Sequence, residues 1–296
     1  TAAGVQTDNG IGVTNELNFT ASGEMDNGYT WSYSMELDPR SADSGDAAND
    51  DTKITIGMGD LGPVKVCVSE CGNNKKAAGE AAADVSMSDT GISEGIIYPG
   101  DAGAANMATL QYHSPELPFG TTVSVAYNQQ AKDGQSGNAS AASGNSLEEY
   151  SLVTKPIDGL TLSAHYYDYK DYDDGFDTED QLEEGGSYAA KYSTGNLTIG
   201  YGKSFKAPEI LEGVRALGAT TVEHYENTGF SLGYAVNDEL SVSFSREESE
   251  PSYMTSSTTA YDIEMDSVQI AYSLGGATLS IARADYDNVN YVNGAE

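Results

Sequence analysis

Leu240-Ser241-Val242-Ser243-Phe244-Ser245 decides the fold. Successive side chains of a strand point to opposite faces, so this stretch has an apolar face of Leu, Val and Phe and a hydroxyl face of serines. Working outward, the same alternation recurs in Val268-Gln269-Ile270-Ala271-Tyr272-Ser273-Leu274 and in Phe230-Ser231-Leu232-Gly233-Tyr234-Ala235-Val236. It recurs again in Leu160-Thr161-Leu162-Ser163-Ala164, Trp31-Ser32-Tyr33-Ser34-Met35-Glu36-Leu37 and Lys53-Ile54-Thr55-Ile56-Gly57-Met58. No long stretch has a clean helical period.

The connections between these stretches are of two kinds. Asp26-Asn27-Gly28, Leu61-Gly62, Ile157-Asp158-Gly159, Gly195-Asn196, Asn237-Asp238-Glu239 and Gly275-Gly276 are tight, and supply the positive φ of short hairpin turns. Asp38 to Asp51, Ala131 to Glu149, Asp171 to Gly185, Lys206 to Thr221 and Glu247 to Thr259 are long and polar. Short and long alternate, as in an up-and-down meander with one trimmed end. About fourteen strands are expected, near 15–25, 29–38, 52–60, 63–69, 107–114, 121–130, 149–155, 160–169, 187–194, 197–205, 222–236, 240–247, 260–274 and 278–287. An open sheet of that width exposes its edges, so closure into a barrel is the natural solution. A sandwich needs apolar inner faces on both sheets. Here each strand has one apolar and one polar face, which suits a lipid-facing exterior and a water-filled interior. Tyr33, Tyr112, Phe119, Tyr127, Tyr192, Tyr201, Tyr234 and Tyr272 fall near strand ends, as an interfacial girdle requires.

Composition narrows the function. The chain has 296 residues, with 14 Lys and Arg against 46 Asp and Glu and a formal net charge of -32. Such an acidic chain has little with which to release counterions from phosphate, so nucleic acid is excluded as a partner. It also lacks the basic clusters that dock on anionic membrane surfaces. No apolar run reaches the length of a transmembrane helix, which does not exclude a barrel. No basic segment followed by an apolar one opens the chain at Thr1, so either it is cytosolic or a signal peptide has been removed. No spacing links a Ser to His113, His165 or His224, so an enzyme is not expected.

The order of these features resembles the Gram-negative trimeric porin family. Gly23-Glu24-Met25-Asp26-Asn27-Gly28, Asn237 to Ser243, and Ile263 to Leu274 followed by Gly275-Gly276-Ala277-Thr278-Leu279 are similar to segments of porins from marine bacteria. The resemblance implies an all-β transmembrane antiparallel barrel of sixteen strands, a homotrimer, outer-membrane lipid and lipopolysaccharide as surroundings, no cofactor, and passive diffusion of ions and small hydrophilic solutes. The family closes its last strand with an aromatic residue, whereas this chain stops at Gly294-Ala295-Glu296. The first and last strands are therefore expected to be missing from a single domain over 1–296, and 70–106 falls where the family's third loop folds inward as a constriction.

The resemblance places Glu70, Glu80, Asp84, Asp89, Glu94 and Asp101 on that loop as acids facing the lumen. Alternation gives Lys53, Lys65, Lys155 and Lys191 lumen parity, because their apolar neighbours take the other face and a Lys in lipid costs ~2–4 kcal/mol at the midplane. Opposed acids and lysines would set a transverse field, and the scarcity of cations implies weak cation preference. Cys67 and Cys71 suit a disulfide at the base of the loop in an oxidising periplasm, with free thiols as the alternative. They lack the further ligands of a zinc site, and no metal site is expected. The run Asp168 to Asp180 fails the EF-hand template and leaves room only for a loosely bound Ca2+ or Mg2+ on an external loop. A substrate-specific channel is the alternative within transport, and a secreted acidic Ca2+-binding β-sandwich adhesin is the alternative outside it.

Overall fold

The structure is a computed structural model. It describes residues 17–37, 50–67, 108–131, 145–170, 179–211, 221–255, 258–275 and 277–295. The first strands are β1 (Leu17–Glu24), β2 (Thr30–Leu37), β3 (Asp50–Gly57), β4 (Pro63–Cys67) and β5 (Thr109–His113). Then come β6 (Thr122–Ala131), β7 (Asn145–Thr154), β8 (Leu160–Lys170), β9 (Glu179–Gln181), β10 (Glu184–Thr194) and β11 (Leu197–Ala207). The last are β12 (Ile210–Leu211), β13 (Val222–Ala235), β14 (Leu240–Tyr253), β15 (Ile263–Leu274) and β16 (Ala277–Asp287). Fourteen of them form one sheet in chain order, every neighbour antiparallel, while β9 and β12 pair separately. The fourteen strands form one continuous sheet rather than the two stacked sheets of a sandwich.

Tight turns join β1 to β2, β3 to β4, β13 to β14 and β15 to β16 at one end, and long segments join β2 to β3, β4 to β5 and β6 to β7 at the other. Local chemistry fixes the tight turns. At Gly62 φ is +79°, and a Cβ there would lie 2.3 Å from the carbonyl oxygen of His113, so only glycine fits without a shift. At the β13–β14 turn, Asn237 Oδ1 accepts from the backbone N–H groups of Glu239 and Leu240 at 2.9 and 2.8 Å.

Register divides every strand into two faces. Ser245 stands opposite Ser231 and Ser267, and these serines are all buried, whereas Leu279 is 58% and Ile281 66% exposed. This inverts the soluble-protein pattern, in which apolar side chains fill the core. Along the middle of the strands the inner face is mainly small and polar, with Leu147, Tyr167, Ile263 and Met265 buried on it toward the long-loop end, and the outer face is largely apolar. Tyr112, Tyr127, Tyr192, Tyr201, Tyr234 and Tyr272 all stand exposed on the outer face.

Three strands start earlier or run further than alternation implies. β14 continues to Tyr253, β7 starts at Asn145 and β10 at Glu184. Beyond the apolar belt the outer face turns from Phe244 to Arg246, Glu248 and Glu250, so the ladder persists while the hydrophobic contrast vanishes. β9 and β12 lie within segments expected to be loops. Gln181 Nε2 ties them down by donating to the carbonyls of Pro208 and Glu223 at 2.8 and 3.0 Å. A short turn over Val289–Tyr291 follows β16 and returns to the inner face, where Tyr291 packs with Ile263, Met265 and Tyr225. Its hydroxyl lies 2.8 Å from Ser249 Oγ, and burial raises the Tyr291 phenol above its ordinary range.

Candidate functional site

The candidate site is the inner wall of the curled sheet. Small hydroxyls lace it together. Ser124 and Ser151 meet at 2.6 Å, Ser245 and Ser267 at 2.6 Å, and Asn227 Nδ2 donates to Ser204 Oγ at 3.0 Å. Such pairs satisfy polar groups across adjacent strands while adding little bulk, which leaves room for water.

One sector is basic. Lys53 on β3 lies opposite Cys67, and Lys65 on β4 lies opposite Thr55 and Gln111, so the two lysines share the inner face of adjacent strands. On β5, His113 Nε2 is 2.9 Å from Gln111 Oε1. Lys191 also takes the inner face, opposite Thr161 and Gly200. Lys155 follows the last residue of β7, and its backbone N–H donates to Phe119 at 2.8 Å. That puts it at the tight-turn end of the wall rather than halfway along.

Another sector holds paired charge. His165 on β8 and Glu149 on β7 meet at 2.6 Å with both side chains 1% exposed. Near the long-loop end, Lys206 Nζ lies 3.1 Å from Glu183, which also accepts from the Tyr167 hydroxyl at 2.9 Å. Sequence reasoning missed these residues. Alternation would have put His165 with Ser163 on the polar face, but only register brings Glu149 beside it. Lys206 was assigned to a loop because β11 runs on past Phe205.

Glu70, Glu80, Asp84, Asp89, Glu94, Asp101 and Cys71 lie outside the described residues. So does Asp171 to Thr178 of the acidic run. Cys67 is buried at the end of β4, faces inward opposite Thr109, and is disulfide-bonded. Among the described residues no group of three or more His, Cys, Asp or Glu could hold a metal ion.

A family model for Gram-negative porins matches residues 1–293. No curated protein matches the chain in sequence. Among solved structures, a porin refined at 1.8 Å is 17% identical with a TM-score of 0.60, covering 92% of this chain and 86% of that one. A loop L8 deletion mutant of OmpT, an outer membrane protein of Vibrio cholerae, is 12% identical with a TM-score of 0.63, covering 92% and 84%. Salmonella typhi OmpF in complex with daunomycin is 13% identical with a TM-score of 0.58, covering 94% and 86%. At these identities the likeness shows the fold, an antiparallel up-and-down β-barrel.

Proposed function

The chain belongs to the Gram-negative porin family and is an outer-membrane channel rather than an enzyme, and we propose that it passes ions and small hydrophilic solutes by passive diffusion with weak cation preference. One observation carries this reading: a single fourteen-stranded meander with hydroxyls inside and apolar side chains outside. Lipid meets the outer face, water fills the inner one, and a solute needs only to fit. Porins generally need no cofactor.

In this reading 70–106 is the constriction, and its acids Glu70, Glu80, Asp84, Asp89, Glu94 and Asp101 face the wall of Lys53, Lys65 and Lys191, with Lys155 at the tight-turn mouth. The Cys67–Cys71 disulfide clips the base of that loop. A net charge of -32 supports the sign of the selectivity, because cations are enriched near an acidic lining. The working unit is a homotrimer embedded in lipid and lipopolysaccharide, with Ca2+ or Mg2+ loosely held at acidic external loops. A sugar-specific channel would present a ladder of accessible aromatics. The inward Tyr167 and Tyr291 are instead packed against their neighbours.

Planar-bilayer recording of the purified protein tests this. Linear current–voltage curves, a reversal potential of cationic sign in a salt gradient and three equal closing steps are expected. Saturating conductance with one solute would replace diffusion by a specific site.

A further inference from the structure

The long-loop end of the inner wall holds a turn whose backbone its own sequence resists. Past Asp287 the chain reverses at Asn288, passes through Val289–Tyr291 and closes on itself, with the Val289 N–H donating to the Ala295 carbonyl at 3.0 Å. Three non-glycine residues here occupy the left-handed region: Asn288 at φ +57°, Asn290 at +59° and Tyr291 at +59°. Asparagine tolerates that region, but a bulky ring residue there is an outlier that costs free energy. Such strain persists only where the surrounding contacts over-determine it.

Those contacts converge on Tyr291. It is the one buried side chain among residues 288–295, while Asn290, Val292 and Asn293 stand exposed. Four strands build its socket. Ile263 and Met265 of β15 are buried against it, with Tyr286 of β16 and Tyr225 of β13 beside them. The rings of Tyr225 and Tyr291 lie 5.4 Å apart between centroids, and the hydroxyls of Ser249 on β14 and Tyr291 meet at 2.8 Å. Asn288 marks the hinge. Its Nδ2 donates to the Asp262 carbonyl at 2.9 Å, and its Oδ1 accepts from the Gly294 N–H at 2.9 Å. The turn is thus a compact unit, hinged at Asn288 and moored to the wall by a ring. Undocking releases the strain and so offsets part of what burying the ring gains, which brings two positions of the unit close in free energy.

We propose that residues 288–295 form a movable strap at the long-loop mouth, docked on the inner wall by Tyr291 as an autoinhibitory contact and widening the mouth when the ring leaves its socket. The inference rests on the channel reading. It is separate from the constriction, because the strap sits over β13 to β16 whereas 70–106 leaves from β4. The strap's mooring groups, Tyr291 and Ser249, are uncharged at neutral pH, so it sets the width of the passage and not its ion preference.

Single-channel recording of the folded full chain in planar bilayers tests it. Wild type is expected to show a main level with brief steps to a higher one. Tyr291→Phe keeps the ring and loses the bond to Ser249, so the time spent at the higher level should rise about fivefold, the scale of one hydrogen bond. Ser249→Ala should match it, and the double variant should exceed neither, because both changes remove the same contact. Asn290→Ala should also raise it, since alanine tolerates the left-handed backbone less well than asparagine. Tyr291→Ala should stay at the higher level most of the time. Where the steps are too brief to resolve, mean conductance should rise in the same order. Tyr291→Phe and Ser249→Ala keep the test open if Tyr291→Ala does not fold. Equal occupancy and equal mean conductance in wild type and Tyr291→Phe overturn the proposal, as do additive effects of Tyr291→Phe and Ser249→Ala. A shift of reversal potential along the series also overturns it. A steady conductance unchanged across the variants sinks the strap and leaves the channel reading standing, whereas a folded wild type that does not conduct sinks both.

Discussion

His165 Nε2 lies 2.6 Å from Glu149 Oε1 on the inner face of adjacent strands, and the other carboxylate oxygen of Glu149 finds no hydrogen bond among the described residues. The pair is therefore the main partner holding a buried carboxylate in place. His165→Ala should cost about 3–5 kcal/mol, the penalty for stranding a buried charge, and Glu149→Gln combined with His165→Gln should cost less. Urea unfolding in detergent, followed by fluorescence of the single Trp31, measures both. Equal losses would show that the two side chains act as filler rather than as a pair.

The basic sector of β3 and β4 makes a selectivity prediction. A unit charge ~8 Å from a passing ion is worth about 0.5 kcal/mol in water before screening. Replacing Lys53 and Lys65 together by Glu reverses two charges, a change of four units worth about 2 kcal/mol to an ion of either sign before screening, so the cation-to-anion permeability ratio should rise at least tenfold at low salt and shrink toward parity as salt shortens the Debye length. A reversal potential unmoved by the double change would remove these lysines from the conduction path.

The two faces can be tested with one residue type. Ile270 points outward from β15 and the adjacent Ala271 points inward. Ile270→Lys should lose about 2–4 kcal/mol on transfer to bilayer, while Ala271→Lys, which meets water, should lose far less. Folding yield into vesicles, read by heat-modifiable gel mobility, gives the answer. Equal yields would mean that the two faces do not differ in their surroundings, and the opposite order that they are assigned backwards.

Tyr291 occupies the inner face near the long-loop end through Ile263, Met265 and Tyr225. Tyr291→Ala should open that region and raise single-channel conductance. It should also cost about 3 kcal/mol of local stability, on the scale of emptying an aromatic site. Unchanged conductance would place the narrowest section elsewhere.

The meander was legible because hydrophobic contrast between faces survives in any strand that touches lipid. It failed at Arg246-Glu247-Glu248-Ser249-Glu250, where both faces of the strand carry polar side chains although the ladder continues. It failed also at Glu184-Gly185-Gly186, where glycines read as loop but give room to the rings of Tyr167, Tyr166 and Phe205. Parity for Lys53, Lys65 and Lys191 can be read from one strand alone. The Glu149–His165 and Lys206–Glu183 pairs need the alignment of two separate segments, which no local pattern encodes.

The serines at the inner face and the leucines and isoleucines at the outer one have a calorimetric consequence. Unfolding a globular protein wets its oil, which raises heat capacity by ~12–15 cal/mol/K per residue. Here the greasy side chains begin in contact with surfactant tails and can stay there when the strands separate. The melting endotherm should then arise mainly from broken backbone ladders, with a step in baseline far smaller than chain length would suggest.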